Sequence, residues 1–395
     1  MLSNRRIVLG VSGGVAAYKA AYLTRRLLER GAVVRVVMTP GAAGFVGAQT
    51  FAALTGEPVI ESLFGDPSSV SPHTELGQWA ELIVVAPATL HTLSKIAHGI
   101  SGDALSATIL ASRAPLLLVP AMHTEMWEHP ATRTVVKQLE SVGHTLVGPV
   151  SGELAGGDVG LGRMAEPDEI VEQVCRGLAH ADGSPWFGKK VVITAGGTRE
   201  AIDPVRYIGN RSTGKMGYAI ATAAFWRGAN VELISSSSLS DPIGVNVTHV
   251  ASAQEMANAT WSAAKDADVA ILAAAVADFR PTQSAPTKLR RVDGLPPIEL
   301  QETSDILAGI VDMDPRPILV GFAAQTGSLD DAFRKVSTYG VDLLVANDVS
   351  SPGSGFGTDT NQVTVLYPDG SSEPWPLMTK SEVAGQLLDH IVDLI

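Results

Sequence analysis

One short stretch of polar and small residues has almost the composition of a phosphate-binding P-loop. Residues 209–216 read GNRSTGKM, which supplies both glycines and the lysine of that motif but ends in Met216, where the motif has the magnesium-binding Ser or Thr. A P-loop also follows its strand directly, whereas here residues 195–208 separate the apolar run VVIT from the motif. The stretch therefore predicts an anion site of another kind, in which Ser212, Thr213 and free amides begin a helix.

A second group of small and hydroxyl-bearing residues follows apolar runs in the first half of the chain. Ser12, Gly13 and Gly14 lie in GVSGGVAA, and Thr39 and Thr89 follow two later apolar runs. Hydroxyl groups and amides at a helix N-terminus suit a phosphate group. The turn lacks the G-x-G-x-x-G spacing of dinucleotide sites, so an ordinary tight turn remains an equal alternative on these residues alone.

Four titratable side chains are candidates for chemistry to differing degrees. Asp278 follows the apolar run VAILAAAVA, and an acid at the end of a buried strand favours a functional role because strand ends form the ligand cleft of open α/β sheets. Lys288 in TKLRR and Lys335 in DDAFRKVSTYG are, by themselves, typical of solvated surface charge. A lone histidine such as His73 is likewise typical of a solvated loop.

The elements that must position these residues follow the same plan twice. Residues 6–38 give an apolar strand, a small-residue turn, a helix ending RGA and a second strand, and residues 190–235 repeat that order. The pattern predicts α/β architecture with two doubly wound, Rossmann-like parallel-sheet domains. The cluster HADGSPWFGKK places the boundary near residue 188, which gives domains 1–188 and 189–395.

Other apolar runs complete the predicted sheets. ELIVVAPAT and PLLLVPAM belong to the first half, and VAILAAAVADF, RPILVGFAA and DLLVAND belong to the second. The first helix is expected to be amphipathic, with Lys19, Arg25, Arg26 and Arg30 on its polar side, and SEVAGQLLDHIVDLI is expected to form a closing helix.

Composition excludes several classes of function. The chain is 395 residues long, 45% hydrophobic and 18% charged, and its net charge of −12 offers no basic footprint for nucleic acid or an anionic membrane. No apolar stretch approaches the ~20 residues needed to span a bilayer. The single cysteine, Cys175, excludes an internal disulfide and favours a reducing, cytoplasmic compartment.

Several motifs of the first half resemble a known family. SGGVAAYKAAYL, APAT, PAMHTEMWEHPATR and GDVGLGRMAEP are similar to the flavin-dependent phosphopantothenoylcysteine decarboxylase half of the bifunctional coenzyme A biosynthesis enzyme. The resemblance implies FMN as the cofactor, with its phosphate near Ser12 and Thr39. It also implies that His73 is an acid/base group while the substrate thiol is oxidised, and that His123 and Arg163 meet the anionic substrate.

Motifs of the second half resemble the phosphopantothenate–cysteine ligase half of the same enzyme. They are ITAGGTREAIDPVRYIGNRSTGKMGYAIA, AAAVADFRP, TKLRR, ETSDIL, GFAAQTG and ANDVSSPGSGFGTDTN, in the family's order. The resemblance implies that CTP activates 4'-phosphopantothenate as an acyl-cytidylate, from which the amine of L-cysteine displaces CMP.

The same resemblance implies roles for individual residues of the second half. Asn210 contacts the acyl-cytidylate, Arg206 lies one helical turn before it, Lys288 serves CTP binding and turnover, and Asp278 contacts Mg²⁺ or the ribose. The remaining nucleotide-binding positions are Ser212, Ser304, Asp305, Ile306, Leu307, Phe322 and Lys335.

The chain departs from the family pattern at identifiable positions. His123 stands where asparagine is usual, Leu90 and His91 replace alanine and asparagine, Gln325 replaces glutamate and Tyr339 replaces a second lysine. Gly156 occupies the place of a cysteine proton donor in a glycine-rich segment, residues 152–162, that is expected to be a mobile lid. Cys175 is no natural substitute, because its segment has the apolar periodicity of a packed helix.

Three hypotheses follow. The first is a bifunctional enzyme whose flavin domains form trimers and whose ligase domains form dimers, as the resemblance implies. The second is an active ligase with an impaired or structural flavin-binding domain, which Gly156 favours. The third is an NAD-dependent oxidoreductase, which requires G-x-G-x-x-G, and neither GVSGGVA nor TAGGTRE has that spacing.

Overall fold

The computed structural model describes residues 2–64, 70–290, 297–325, 329–350 and 353–395. The chain forms two compact units, Met1–Gly183 and Ser184–Ile395. The boundary predicted near residue 188 lies within a few residues of this division. Among the described residues, no helix combines the length and apolarity needed to cross a bilayer.

The first unit is built on a parallel five-stranded sheet. Its strands are β1 Arg6–Val11, β2 Val33–Met38, β3 Leu82–Ala88, β4 Leu116–Pro120 and β5 Thr145–Leu146. Their spatial order is β2-β1-β3-β4-β5, with parallel pairing throughout. All seven residues of β3 are buried, as expected for a parallel strand that is covered on both faces.

Helices cover both faces of this sheet. They are α1 Ala17–Glu29, α2 Ala48–Thr55, α3 Pro72–Trp79, α4 Leu90–Ala97, α5 Ala104–Leu110, α6 Thr124–Glu128, α7 Pro130–Ser141 and α8 Pro167–Ala181. Apolar residues of α3, α4, α5 and α7 form one core cluster with alternate residues of the strands. Helices α1 and α8 pack on each other and on β3 at the opposite face.

Two features of the first unit correct the expectations from sequence. Lys19 is not on the polar side of α1: it is only 7% exposed, because its ammonium group forms an ion pair with Glu166, 2.9 Å away. The glycine-rich segment is not a plain loop but an antiparallel hairpin of β6 Val150–Glu153 and β7 Val159–Arg163, with residues 154–158 as its turn.

Cys175 lies in α8 and is 4% exposed. Burial, together with the nearby carboxylate of Glu172, raises the pKa of its thiol to about 12. The cysteine is therefore an inert part of the core, as the apolar periodicity of its segment predicts.

The second unit contains an eight-stranded sheet. Its strands are β8 Lys190–Ala195, β11 Asn230–Ser235, β12 Asn246–His249, β13 Val269–Leu272, β16 Ile318–Gln325, β17 Leu343–Asp348, β19 Val363–Leu366 and β20 Ser372–Pro374. The order is β12-β11-β8-β13-β16-β17-β19-β20. Strand β19 pairs antiparallel with both β17 and β20, and the remaining neighbours pair parallel. Short strands form three further pairs: β9 Arg199–Ala201 with β10 Tyr207–Gly209, β14 Phe279–Pro281 with β15 Leu300–Glu302, and β18 Thr360–Asn361 with β21 Met378–Thr379.

Alternation along the strands distributes apolar side chains to two helical layers. The helices are α9 Lys215–Trp226, α10 Ala253–Ala264, α11 Ala308–Val311, α12 Asp330–Tyr339 and α13 Lys380–Ile391. Val191 and Ile193 pack with α9 and α13, whereas Val192 between them packs with α10. Both units are thus doubly wound parallel-sheet domains, which confirms the predicted fold class.

The strand predicted to run from residue 269 through 279 is shorter than expected. Strand β13 ends at Leu272, and Asp278 lies beyond it, immediately before β14. The chain leaves the sheet there because its backbone turns toward the end of β8, where the amide of Ala275 donates to the carbonyl of Gly196.

Candidate active sites

The turn after β1 is held by the turn after β3. Ser12 is fully buried, and its hydroxyl donates to the carbonyl of Pro87 at 2.7 Å while accepting from the amide of Thr89 at 3.0 Å. The predicted cofactor-binding hydroxyl groups of Ser12 and Thr89 are therefore neighbours, 3.3 Å apart.

A second contact joins the turns that follow β1 and β2. A Cβ atom on Gly13 would lie 2.6 Å from the carbonyl of Gly41, and the amide of Thr39 donates to Val11 at 3.0 Å. Only glycine permits this approach, which places Gly13, Gly14 and Thr39 at one edge of the sheet. No side chain separates these two turns, so a phosphate group such as that of FMN could approach the backbone of Gly13 and Gly14.

His73 is the second residue of α3, after Pro72. Within the described part of the chain, its Nδ1 atom is buried and has no hydrogen-bond partner. A buried polar atom left without a partner costs about 1–3 kcal/mol, so an unpaired ring nitrogen is more typical of a functional group than of a packed one. The structure thus leaves one ring nitrogen of His73 without a protein partner among the described residues, and the acid/base role stays a prediction.

His123 directly precedes α6 and makes two contacts with carboxylates. Its Nδ1 atom is bonded to Glu125, and its Nε2 atom lies 3.2 Å from a carboxylate oxygen of Asp158 in the hairpin turn. The bond with Glu125, followed by that with Asp158, raises the pKa of His123. The imidazole is therefore favoured in its charged form, with both nitrogen atoms already engaged.

Arg163, the other predicted substrate-binding residue, is also paired. Its guanidinium donates to Glu166 at 2.6 Å, and that carboxylate is shared with Lys19. The bond from Lys19 contributes most to lowering the pKa of Glu166. An anionic substrate would have to share or displace an acidic partner at Arg163, as it would at His123.

Two glycines seat the hairpin against the end of β4. A Cβ atom on Gly162 would lie 2.2 Å from the carbonyl oxygen of Met122, and one on Gly160 would lie 2.2 Å from the hydroxyl of Thr124. By contrast, a Cβ atom on Gly156 in the turn would meet its nearest neighbour at 3.4 Å. A side chain therefore fits at the position where the family has its cysteine.

Asn210 has a defined orientation in the second unit. Its Nδ2 atom donates to the carbonyl of Ala275 at 2.5 Å, and its Oδ1 atom accepts from the amide of Ser212 at 3.0 Å. A Cβ atom on Gly197 would lie 2.1 Å from that oxygen. The ends of β8 and β13 thus enclose the side chain, and the second glycine of TAGGT provides the space for it.

Arg206 does not lie on a helical turn before Asn210, because residues 207–209 form strand β10 and pair with β9. The guanidinium of Arg206 instead contacts Asp203, at 3.0 Å from Nε, and donates to the carbonyl of Leu289. The helical expectation is wrong because the antiparallel pairing of two three-residue strands leaves no periodic signal in the sequence.

Asp203 joins the segments that carry Arg206 and Lys288. Its fully buried side chain accepts from the amides of Val205 and Arg206, both at 2.8 Å, and from Leu289 at 3.2 Å. Burial alone would raise the pKa of Asp203, but these hydrogen bonds and the charge of Arg206 lower it. Sequence reasoning missed this residue, although an aspartate before proline in AIDPVR is a turn signal that could have identified it.

A cleft of about 390 Å³ lies beyond the ends of β13 and β16. Its lining includes the following predicted nucleotide-binding residues: Asp278, Ser304, Asp305, Ile306, Leu307, Phe322 and Lys335. Two residues of the predicted nucleotide-binding set, Ser212 and Lys288, do not line this cleft. The structure thus brings most of the predicted set together, at the edge where ligands of open α/β sheets bind.

Tyr339, which stands where the family has a second lysine, also lines the cleft. Its hydroxyl donates to Asp305 at 2.8 Å, and this bond raises the pKa of Tyr339. The other carboxylate oxygen of Asp305 accepts from the amide of Ala308 at the start of α11. Tyr339 therefore holds the carboxylate of Asp305 in place and adds no positive charge to the cleft. Gln325, which replaces the family's glutamate, lies at the end of β16 and is buried.

A metal site is not preformed in the described residues, where no group of three or more His, Cys, Asp or Glu side chains could hold an ion. Asp278 would contribute a single carboxylate. Mg²⁺ commonly binds through one or two carboxylates together with substrate phosphates, and a lone acid fits that pattern.

The lysine of GNRSTGKM does not point to an open phosphate site. Lys215 begins α9, and its ammonium group donates to Asp359 at 2.7 Å and to the carbonyl of Gly357 at 3.0 Å. The hydroxyl of Ser237 donates to the carbonyl of Thr213 at 2.7 Å. Ser237 belongs to the run SSSS at the end of β11, a strand-end signal that sequence reasoning left unused.

Comparison with known proteins agrees with this division. Residues 1–179 match the family model described as Flavoprotein, and residues 186–395 match the DNA/pantothenate metabolism flavoprotein C-terminal domain. The coenzyme A biosynthesis bifunctional protein CoaBC of Mycobacterium tuberculosis is 46% identical over 99% of this chain and 97% of its own length. The protein of the same name from Bacillus subtilis is 44% identical over 100% and 98%.

A solved structure of the C-terminal domain of a CoaBC protein is also similar. It is 40% identical, with a TM-score of 0.45, and the match covers 53% of this chain and 96% of that one.

Fold, family models and relatives together define a two-domain α/β enzyme with a flavoprotein domain followed by a pantothenate-metabolism domain. The chain belongs to the family of coenzyme A biosynthesis bifunctional proteins, CoaBC.

Proposed function

We propose that this chain catalyses two successive steps of coenzyme A biosynthesis. The second unit ligates 4'-phosphopantothenate with L-cysteine at the expense of CTP, and the first unit decarboxylates the 4'-phosphopantothenoylcysteine formed to 4'-phosphopantetheine with the help of FMN. Family membership supports both activities. One observation carries the ligase assignment: hydrogen bonds to the carbonyl of Ala275 and from the amide of Ser212 fix the side-chain amide of Asn210. This side chain lies beyond the ends of strands β8 and β13.

The ligase half must stabilise charge on an acyl phosphate anhydride. Negative charge develops on both the acyl and the phosphate oxygens as CTP activates the carboxylate, so donors should converge on them. The second Nδ2 hydrogen of Asn210 and the hydroxyl of Ser212 can donate there, and Lys288 adds positive charge. Asp278 would hold Mg²⁺ together with the phosphates of CTP.

The Asp203 contacts support a shared role for Arg206 and Lys288. Because one buried carboxylate holds both segments, a movement of one changes the position of the other. We assign Arg206 to the reacting end of the substrate on this basis. The residues around the 390 Å³ cleft, among them Phe322 and Lys335, would hold the rest of the nucleotide.

The decarboxylase half would bind FMN at the turns that contain Ser12, Gly13 and Thr39. The chemistry that FMN would supply when bound is a reversible transfer of two electrons: taking them from the substrate thiol provides an electron sink next to the carboxylate, and returning them after carbon dioxide has left restores the thiol. His73 would accept or return the proton at its free Nδ1 atom. His123 and Arg163 would first release their present acidic partners and would then bind the departing carboxylate of the substrate.

Assembly and location complete the proposal. Trimers of the flavin domain, dimers of the ligase domain and a cytoplasmic location remain expectations from the resemblance and from the single cysteine.

The second candidate function is an active ligase with an impaired flavin domain, and Gly156 is the observation that favours it. A turnover assay with CTP, cysteine and 4'-phosphopantothenate separates the two, if pyrophosphate and carbon dioxide are followed independently. The bifunctional proposal expects both products in equal amounts. Pyrophosphate without carbon dioxide would establish the impaired alternative, and neither product would contradict both.

Asn210→Asp tests the ligase assignment within that assay. A carboxylate at this place repels the developing negative charge and loses the amide donor, so we expect pyrophosphate-coupled product formation to fall by about 10²–10³-fold, the range for loss of one such donor. Carbon dioxide release from preformed 4'-phosphopantothenoylcysteine should stay within twofold. An unchanged ligation rate would show that Asn210 does not contact the acyl-cytidylate.

A further inference from the structure

Lys380 is a buried lysine outside the residues assigned so far. It is the first residue of α13 and is 7% exposed. Five oxygen atoms surround its Nζ atom: Thr358 O at 2.6 Å, Thr360 O at 3.1 Å, Gly355 O at 3.2 Å, Asn361 Oδ1 at 3.3 Å and Thr358 Oγ1 at 3.4 Å. All five belong to one segment, residues 353–361, called here the 353–361 loop.

The 353–361 loop lies directly against the anion site predicted from GNRSTGKM. Lys215 donates to Gly357 and Asp359, and the side chain of Asn361 donates to the sulfur of Met216 at 3.6 Å. A Cβ atom on Gly357 would lie 4.0 Å from the methyl group of Thr213. The position of residues 213–216 therefore depends on how the loop is folded.

The surroundings of Lys380 are those of a small monovalent cation and not those of an ion-pair partner. Backbone carbonyl and neutral side-chain oxygens replace the hydration shell of the ammonium group, as they do for K⁺ in oxygen-lined sites. The charged groups that face it are Lys215 and Asp359, and Asp359 is already bonded to Lys215. An ammonium group has only three N–H donors, so these five oxygens share one cation, with the carbonyl of Thr358 the nearest at 2.6 Å.

We propose that Lys380 is a positioning residue that acts as a covalently tethered monovalent cation: its ammonium group folds the 353–361 loop, which in turn holds Lys215 and the start of α9 in place for the ligase reaction. The catalytic consequence rests on the proposed ligase function, whereas the folding of the loop does not. A chain that lacks the ammonium group should gain a dependence on free NH₄⁺ or K⁺ that the native chain does not have.

The test uses full-length Lys380→Met, with Lys265→Met, an exposed lysine in the same unit, as the matched control. Hydrogen exchange of the backbone amides in residues 353–361 is measured in tetramethylammonium chloride, NH₄Cl and KCl at equal ionic strength. We expect at least about tenfold faster exchange in Lys380→Met than in the native chain, with NH₄Cl and KCl restoring protection and tetramethylammonium failing to do so. The native chain and Lys265→Met should exchange at the same rate in all three salts.

Ligase kinetics provide the second readout. The same variant should lose at least about tenfold in kcat/KM for CTP, regained in NH₄Cl, while carbon dioxide release from preformed 4'-phosphopantothenoylcysteine is unchanged. Unchanged loop exchange in Lys380→Met, or protection that every salt restores equally, would overturn the proposal. If the native chain releases no pyrophosphate, the proposed ligase function fails, but the exchange experiment still decides the role of Lys380.

Asn361→Asp covers the case in which Lys380→Met does not fold. It keeps the oxygen that faces Nζ and places a negative charge beside the ammonium group, so at neutral pH the loop amides should exchange more slowly than in the native chain. Equal exchange rates in the two chains would contradict the tethered-cation role.

Discussion

At the scale of single residues, sequence identifies the groups that react better than the groups that hold them. Asn210 and His73 could be selected because the motifs around them resemble the family, although His73 by itself is typical of a solvated loop. Gly197 and Ala275 could not, because their roles depend on contacts between distant segments, such as the bond from Asn210 to the carbonyl of Ala275. Asp203 left only the turn signal of AIDPVR. Backbone carbonyls in particular leave no mark in the choice of side chain.

Gly197→Ala should impair the ligase specifically. The added methyl group would lie 2.1 Å from the Oδ1 atom of Asn210, so the amide must move by about an ångström, and a displacement of that size costs about 10²-fold in rate. Pyrophosphate-coupled product formation is the measurement. Gly385→Ala in α13 is the control and should ligate at the native rate, since its methyl group would meet its nearest neighbour, Arg227, at 3.7 Å. Ligation at the native rate in Gly197→Ala would show that Asn210 is not held as described.

Asp158→Asn should lower the pKa of His123 toward its ordinary value. Glu125 and Asp158 raise that pKa in the folded chain, so their contacts with the imidazolium are present below the raised pKa and are lost as pH rises through it. Titration of the His123 ring signals by NMR measures the change. Glu140→Gln, at an exposed position of α7, should leave the titration unaltered. A pKa that is equal in Asp158→Asn and the native chain would show that the hairpin turn does not contact His123 in solution.

At the scale of elements, the long parallel strands and their helices follow from apolar runs and small-residue turns. The first unit's strands, for example, coincide closely with VVRVVM, ELIVVAPAT and PLLLVPAM. The short antiparallel pairs were not predicted, because strands of three residues carry too little alternation. Lys19 was placed on the wrong side of α1 for a related reason: its partner, Glu166, is remote in sequence.

The junction of α13 with the 353–361 loop predicts a pH limit for the ligase. Burial, with the neighbouring Lys215 cation, lowers the pKa of Lys380 from 10.5 to about 8. Above that pH the amine has one N–H donor fewer, so we expect ligation to decline with a midpoint near pH 8 while decarboxylation does not share this midpoint. Rates at saturating CTP between pH 6.5 and 9.5 check this.

Global stability should not follow the same curve. Between pH 8 and 10.5 the unfolded chain holds the Lys380 proton that the folded chain has released, so this group makes the free energy of unfolding rise with pH in that window. Thermal unfolding at each pH separates the two effects. Loss of ligation that coincides with a fall in Tm would indicate general unfolding instead of a local change in the loop.

At the scale of the whole molecule, two units with separate sheets and separate cores carry two sets of candidate residues. Their repeated strand-turn-helix openings allowed both folds to be predicted from one pattern. Oligomeric state could not be predicted in this way, since it depends on surfaces whose composition is not distinctive. The resemblance to the family, not the residue pattern, supplied that expectation.

His73→Gln should separate the two activities in the complete chain. Glutamine keeps polarity but cannot exchange a proton at neutral pH, so carbon dioxide release should fall by about 10²-fold or more while pyrophosphate release stays within twofold. The intermediate 4'-phosphopantothenoylcysteine should accumulate, which mass spectrometry of the reaction mixture detects. His98→Gln, on an exposed histidine of the same unit, serves as the control. Equal loss of both products would argue that the variant has unfolded or that the sites are not separate.

The burial of Cys175 has a practical meaning for the chemistry that surrounds it. This family handles thiols as substrates and products, yet the chain presents no accessible thiol of its own, and the pKa of about 12 at Cys175 leaves almost no thiolate at neutral pH. Oxidising or alkylating conditions that consume free cysteine would therefore leave Cys175 of the folded chain unmodified. With its single cysteine buried, the folded chain has no thiol for disulfide exchange with a substrate. The proposed thiol chemistry would therefore take place on the sulfur of the substrate alone.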